Sequence, residues 1–271
     1  KSVARKHRIT FSKPGNGVCH QLQLENFSHP GKTLIGSDSH TPTCGAMGMI
    51  AIGAGGLDVA VAMATGKYYV QCPSVLQVKL TGRKAPWVSA KDVILKILQE
   101  LSVKGGVNKI VEYTGEGLSD LSLTDRATIC NMGAELGATT SVFPTDENTL
   151  AYLKQQGRED EYVEMKADDD ATYDETIEID MSTLVPMVAQ PHSPDNVVDV
   201  KDLEGMKINQ VVIGSCTNSS LPDMMRAAKI LKGRKVAEDV SLVIAPGSSS
   251  ILSMLAQNGA LADMIHAGAR I

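Results

Sequence analysis

No stretch of this chain is apolar for long enough to span a membrane, and its first residues lack the apolar core of a signal peptide. There is no C-x-x-C pair either: the five cysteines, at 19, 44, 72, 130 and 216, are odd in number and widely spread. That pattern argues against a disulfide framework and a self-sufficient metal or redox motif. It points to a reducing compartment, read here as the cytoplasm. Positive charge is not in excess. With 26 Lys and Arg against 31 Asp and Glu, the net charge of −5 leaves no electrostatic footprint for nucleic acid, the basic opening from Lys1 to Lys13 notwithstanding. A Gly-x-Ser-x-Gly elbow, a phosphate loop, an internal repeat and a low-complexity tract are all missing. Gly53-Ala54-Gly55-Gly56 approaches a dinucleotide fingerprint, but Asp58 falls on its third glycine, so a nicotinamide site is excluded.

What remains is a chain of 271 residues, 43% hydrophobic and 21% charged, long enough for one large α/β unit or two small domains. Lys1 follows no initiator Met and Ile271 falls within an apolar segment, so the chain is expected to be a piece of something longer. Along it, strands and helices alternate. Thr33–Gly36 reads as a strand, and the small residues from Gly45 to Gly66 allow very close backbone packing. Val75–Thr81 is a strand. Ser89 to Asp92 forms a capping box that opens a helix on which Val93, Ile94, Ile97, Leu98 and Leu101 share a face. Strands at 109–113 and 139–143 and helices at 123–136 and 147–156 follow, implying parallel strands in an α/β architecture. The acidic run 158–180 reads as a solvated loop, and 187–205 as a connector between domains.

The end of the chain holds two strand–turn–helix units. Val211–Ile213 leads through Gly214-Ser215-Cys216-Thr217-Asn218-Ser219-Ser220 into a helix at Leu221–Leu231. Val240–Ala245 leads through Pro246–Ser250 into a second helix. Hydroxyl-rich turns at the carboxyl ends of neighbouring parallel strands form a ligand crevice, and a thiolate at such a helix N-terminus is stabilised by the helix dipole. The bland alternative makes Cys216 a small buried hydrophobe and Ser219 and Ser220 mere caps.

Earlier in the chain, Asp38 and His40 flank Ser39 in a turn after a strand, where they can supply an acid, a base or hydrogen bonds to a carboxylate. His40 and Cys44 would make half of a zinc site only if Cys19 and His20 met them, and Pro42 discourages a helix across the pair. Glu135 stands among small residues, four positions after Asn131. Arg126, Arg226, Arg234 and Arg270 lie near these elements, but none sits in the turns.

Taken together, four stretches closely resemble the aconitase family of iron–sulfur hydro-lyases. They are Leu34–Pro42, Lys91–Lys96, Ala127–Glu135 and Gly214–Ser220, in the family's order over nearly the whole chain. The resemblance implies three-layer α/β/α units with largely parallel or mixed sheets. It divides the chain into 1–73, the end of a first domain; 74–190, a second domain; and 191–271, the front of a third. It gives Cys216 the role of first thiolate of a 4Fe–4S cluster, and makes Asp38, Ser39 and His40 a substrate-contacting turn. His20 pairs with Asp38, Glu135 pairs with His40, and Asn131 contacts the substrate close to the cluster.

The implied reaction interconverts citrate and isocitrate through cis-aconitate. The alternatives are the large subunit of an isopropylmalate or homoaconitate isomerase, or an RNA-regulatory binding module. Thr43 departs from the Asn found in many aconitases, which alters the hydrogen bonding of the Asp38 turn. The family's other two cluster cysteines, its catalytic serine, its substrate-binding arginines and its mobile final domain lie beyond this sequence. The expected partners are therefore a small tricarboxylic acid and the parent's remaining C-terminal domains. The chain alone is expected to hold no cluster and to catalyse nothing.

Overall fold

A computed structural model describes residues 1–271. They form two compact units, Lys1–Leu22 with Ile208–Ile271, and Gln23–Lys207. The cuts fall after residues 22 and 207, whereas the family-domain spans expected from sequence end at 73 and 190.

The chain opens with an exposed helix α1 (Ser2–His7) and then α2 (Cys19–Asn26), which runs across the first cut. The sequence carries no apolar period over α2. In the second unit, β1 (Thr33–Gly36) pairs in parallel with β2 (Ile50–Gly53), in the register Thr33 to Ile50. A 3-10 turn from Thr41 to Met47, with Pro42 in its first turn, joins them, and α3 (Gly56–Thr65) follows. Pro42 stands in the first turn of this short helix, which begins after His40 and so does not span the His40–Cys44 pair; at a helix start its missing N–H costs nothing.

The unit's main sheet is entirely parallel. It contains β3 (Ser74–Thr81), β4 (Lys109–Thr114), β5 (Thr140–Val142) and β6 (Glu175–Asp180), in the order β5-β4-β3-β6. Helices α4 (Ala90–Leu101), α5 (Leu123–Gly133) and α6 (Glu147–Gln155) lie between the strands in sequence. The capping box predicted at Ser89 and Asp92 is formed. Val93, Ile94, Ile97 and Leu98 of α4 are fully buried, with Leu76, Val78, Leu80 and Val111 of the sheet in the same core. Burying each such side chain contributes about 1.5–3 kcal/mol.

Two sequence readings are corrected here. The acidic run is not all loop, because its end is the edge strand β6, which buries Ile179, half-buries Ile177 and turns its acids outward. Glu178 meets Lys79, and Glu175 meets Lys109. An edge strand needs only one paired side and tolerates charge on the other, so the alternation was masked. The supposed connector is an antiparallel hairpin of β7 (Met187–Ala189) and β8 (Val197–Asp199). Val197 is buried in the core, and Met187 N–H donates to the α4 carboxylate Asp92.

In the first unit β9 (Gln210–Gly214), α7 (Leu221–Leu231), β10 (Ser241–Ala245), α8 (Ser249–Gln257), α9 (Ala260–Ala267) and β11 (Ala269–Arg270) build a parallel sheet in the order β11-β10-β9. Met224, Leu242, Ile244, Ile251, Leu255 and Met264 form a small core of their own. The fold is therefore mixed α/β with parallel sheets, as the sequence implied.

Candidate functional site

In the second unit, the turn after β1 carries Asp38, Ser39 and His40. Asp38 closes it as an Asx turn, its Oδ1 accepting from His40 N–H at 2.9 Å. Ser39 Oγ lies 3.0 Å from His40 Nδ1. On the other side of the ring, His40 Nε2 is 3.2 Å from Glu135 Oε1, across 95 residues of sequence. An ionised carboxylate only accepts, so the ring proton sits on Nε2 and the Ser39 hydroxyl donates to Nδ1. His40 is half-buried, and Asp38 Oδ1 stands 3.8 Å from Nδ1. The sequence-stretch partners thus meet as an Asp, a Ser and a Glu around one imidazole.

Glu135 is delivered by the end of α5. The helix stops at Gly133 and a 3-10 turn from Ala134 to Leu136 carries the carboxylate outward. Asn131, expected to contact substrate, has no exposed surface and donates to Thr43 Oγ1 at 2.8 Å. Sequence reasoning noted Thr43 only as a departure and missed Thr41 altogether. Both hydroxyls bond carbonyls three residues back: Thr41 to Asp38 at 2.7 Å, and Thr43 to His40 at 2.6 Å. The repeated Thr after Pro42 is the signal that could have revealed this, as hydroxyls favour such short local bonds.

Arg126 is one of the four arginines that lie near these elements in sequence. It is fully buried and bonds the Pro144 and Leu118 carbonyls, so it is spent on the fold and is no candidate for a polyacid.

In the first unit, Cys216 is half-buried in the turn between β9 and α7. Gly214, at φ 139°, brings β9 so close to β10 that a Cβ there would lie 2.2 Å from the Ala245 carbonyl. Ser215 follows at φ 66°, a left-handed conformation uncommon for serine. Ser220 caps α7, its Oγ accepting from Asp223 N–H and donating to the Asp223 carboxylate. Burial pushes the Asp223 carboxyl up from its ordinary value, and bonds from Ser220 and Asn218 partly offset this. Asn218, two residues after Cys216, thereby ties the turn to the cap. Ser220→Ala is expected to cost about 1 kcal/mol in urea unfolding; an unchanged midpoint would show that the cap carries no weight.

The neighbouring turn locks the first. Gly247 N–H donates to Ser219 O at 2.9 Å, and Gly247 O accepts from Val18 N–H at 2.8 Å. Ser248 caps α8, and the start of α2, with exposed Cys19 and buried His20, lies beside this turn. The cap half of the bland reading holds for Ser220. Cys216 itself is not sealed in hydrocarbon.

An iron–sulfur cubane is held by several thiolates at one place. Cys44 and Cys130 cannot serve: both are fully buried in the core of the second unit, and burial pushes the Cys130 thiol well up, against ionisation. That burial also removes Cys44 from any zinc set. Cys72 is exposed on a loop. The 271 residues put one cysteine in the β9–α7 turn and do not by themselves fit a complete cluster.

The family comparison covers the chain from end to end. A model described as the aconitase family (aconitate hydratase) matches residues 1–271. The chain is 42% identical to 3-isopropylmalate dehydratase large subunit 2 of Archaeoglobus fulgidus, over 99% of the chain and 64% of that subunit. It is 44% identical to the mitochondrial aconitate hydratase of Schizosaccharomyces pombe, over 99% of the chain and 36% of that protein. It is 41% identical to the mitochondrial homocitrate dehydratase of Saccharomyces cerevisiae, over 100% of the chain and 37% of that protein. The chain thus spans less than two thirds of each of these relatives. Among solved structures, aconitase X of Thermococcus kodakaraensis matches 100% of the chain and 62% of its own length, with a TM-score of 0.54 at 14% identity, a likeness of fold alone. No helix is long and apolar enough to cross a membrane. With its turn motifs, parallel sheets and full-length match in agreement, the chain belongs to the aconitase family.

Proposed function

We propose that this chain is the part of a hydro-lyase that binds a small hydroxy acid and moves a proton at its hydroxyl, interconverting citrate and isocitrate through cis-aconitate. The observation that carries the reading is the His40–Glu135 pair at 3.2 Å, with Asp38 and Ser39 in the same turn. Dehydration breaks a C–H bond beside a carboxylate and a C–O bond on the next carbon. Carrying one proton more than a neutral imidazole and a carboxylate, the His40–Glu135 pair protonates the departing hydroxyl, which leaves as water, and the C–H proton goes to a base that is not among the residues of this turn. The Ser39 hydroxyl and the Asp38 turn orient a substrate carboxylate. His20 is assigned to the same chemistry by the resemblance.

Cys216 is assigned as one thiolate ligand of a 4Fe–4S cluster, which when bound would supply a Lewis acid for the substrate hydroxyl. The spans 1–73, 74–190 and 191–271 are proposed as the end of a first family domain, a second, and the front of a third. Five cysteines in no disulfide suit a reducing compartment, with the cytoplasm as the proposed location.

The second reading, an isopropylmalate dehydratase, is supported by 42% identity to the archaeal large subunit over 99% of the chain, beside 44% to the yeast aconitate hydratase over the same share. A chimera decides between them. The 271 residues replace the matching segment of the Schizosaccharomyces pombe enzyme, and hydration of cis-aconitate and of isopropylmaleate is measured. Turnover of cis-aconitate that falls about a hundredfold in Glu135→Gln supports the proposal. Turnover of isopropylmaleate alone favours the second reading, and indifference to Glu135→Gln overturns the catalytic assignment. The isolated chain, given iron and sulfide without oxygen and then desalted, is expected to be colourless and inactive. A brown protein with hydratase activity would overturn that part.

A further inference from the structure

We infer that Thr43 and Asn131 are positioning residues that hold His40 to Glu135, and that Asn131 acts through Thr43. The inference rests on the proposed role of His40 for its functional meaning, but the clamp itself is a matter of hydrogen bonding within one unit.

His40 has φ −93° and ψ 14°, in the sparsely populated bridge region, so its backbone needs outside support to stay there. That support converges on its carbonyl, which accepts from Thr43 N–H at 3.0 Å and from Thr43 Oγ1 at 2.6 Å. The hydroxyl proton is therefore committed to His40. What remains on Thr43 Oγ1 is a lone pair, and the Asn131 side-chain amide donates to it at 2.8 Å. Thr43 is 2% exposed and Asn131 0%, so neither group can substitute water for its partner without opening the structure.

The residues are linked by position as well as contact. Asn131 lies in α5, and Glu135 lies in the 3-10 turn that continues it. One segment thus grips His40 twice, at the main chain through Thr43 and at the ring through Glu135. The four-residue spacing from the end of α5 into its 3-10 turn sets the register between imidazole and carboxylate. Thr41 adds the matching bond one step earlier, to the Asp38 carbonyl, so the turn is pinned under both of its titratable residues. A valine would fill the place of Thr43 but remove the hydroxyl's bonds to Asn131 and to the His40 carbonyl, which would keep the Thr43 N–H alone, and a serine would keep both bonds.

The test reads the ring directly. Long-range proton–nitrogen correlation on the nitrogen-labelled chain reports which ring nitrogen of His40 carries the proton, the signal being identified by its loss in His40→Gln. The wild-type chain is expected to show the Nε2–H form. Thr43→Val is expected to move the His40 nitrogens towards the averaged position of an exposed imidazole, and Thr43→Ser to restore them. Ile94→Val, which trims the α4 core away from the turn, is expected to leave them unchanged. An unmoved His40 signal in Thr43→Val, or Thr43→Ser behaving as Thr43→Val does, overturns the inference.

Where Thr43→Val fails to fold, the wild type decides. The Asn131 side-chain amide protons are expected to exchange with solvent about tenfold more slowly, or slower still, than those of exposed Asn209, and equal rates overturn the clamp. The readout involves no turnover, so failure here leaves the hydro-lyase reading standing, and an inactive chimera leaves the clamp standing.

Discussion

Gly45→Ala is expected to cost about 3 kcal/mol or more and to lower the melting temperature of the unit by about 10 °C. A Cβ on Gly45 would lie 1.7 Å from the Ser141 carbonyl oxygen and 2.8 Å from its carbon. These are main-chain atoms of β5, itself paired to β4, so no side-chain rotation relieves the overlap. The 3-10 turn would have to withdraw from the strand. In doing so it would lose the bond from Phe143 N–H to Gly45 O, now 3.0 Å, and open a gap in the core.

The damage is expected to reach the site, because the same turn holds Thr43 against Asn131 and starts one residue after His40. Gly56→Ala makes the contrast. Nothing lies within 4 Å of its would-be Cβ at the start of α3, so that change is expected to be neutral or slightly stabilising. Thermal unfolding followed by circular dichroism checks both. Equal melting temperatures for the two variants would show that the turn can back away from β5 at little cost.

The pair of glycine variants also marks where sequence stops being informative. Runs such as Val211–Ile213, the Ser220 cap and the α4 face are encoded in neighbouring residues, and the structure forms them as read. β6 was hidden because its pairing energy comes from one neighbour while its outward face is acidic. α2 has no apolar period, since Cys19 is exposed while His20 and Leu24 are buried, and its place is set by tertiary contacts.

At the site, Asp38-Ser39-His40 was visible as a local cluster, and Glu135 was joined to it by family likeness alone. Its contact spans 95 residues, which no periodicity encodes. Thr43, Gly45 and Arg126 owe their roles to Asn131, Ser141 and Asp146, partners between 20 and 96 positions away, so each reads in isolation as an ordinary residue.

Arg126 shows how much such a partner set can weigh. Its guanidinium has no exposed surface and donates to Pro144 O at 3.2 Å and Leu118 O at 3.0 Å, and it pairs with Asp146. Its Cζ lies 5.6 Å from the Phe143 centroid, and that ring stacks on Tyr113 at 4.3 Å. Asp146 is in turn the N-cap of α6, accepting from Asn148 and Thr149 N–H. One cation therefore ties together the 3-10 turn before α5, the segment after β5 and the start of α6.

Arg126→Met keeps the volume and removes every donor. Two carbonyls and one carboxylate then lose their partner inside the protein, a loss of the 3–5 kcal/mol kind. The Asp146 side chain is 35% exposed and water relieves part of its share, which places the expected cost near the lower end, about 3 kcal/mol. Arg126→Lys keeps the charge, but a single ammonium cannot reach three acceptors in different directions, so an intermediate loss is expected. Urea unfolding of the three proteins gives the order wild type, Lys, Met. A Met variant as stable as wild type would mean that desolvating the guanidinium costs as much as its bonds return.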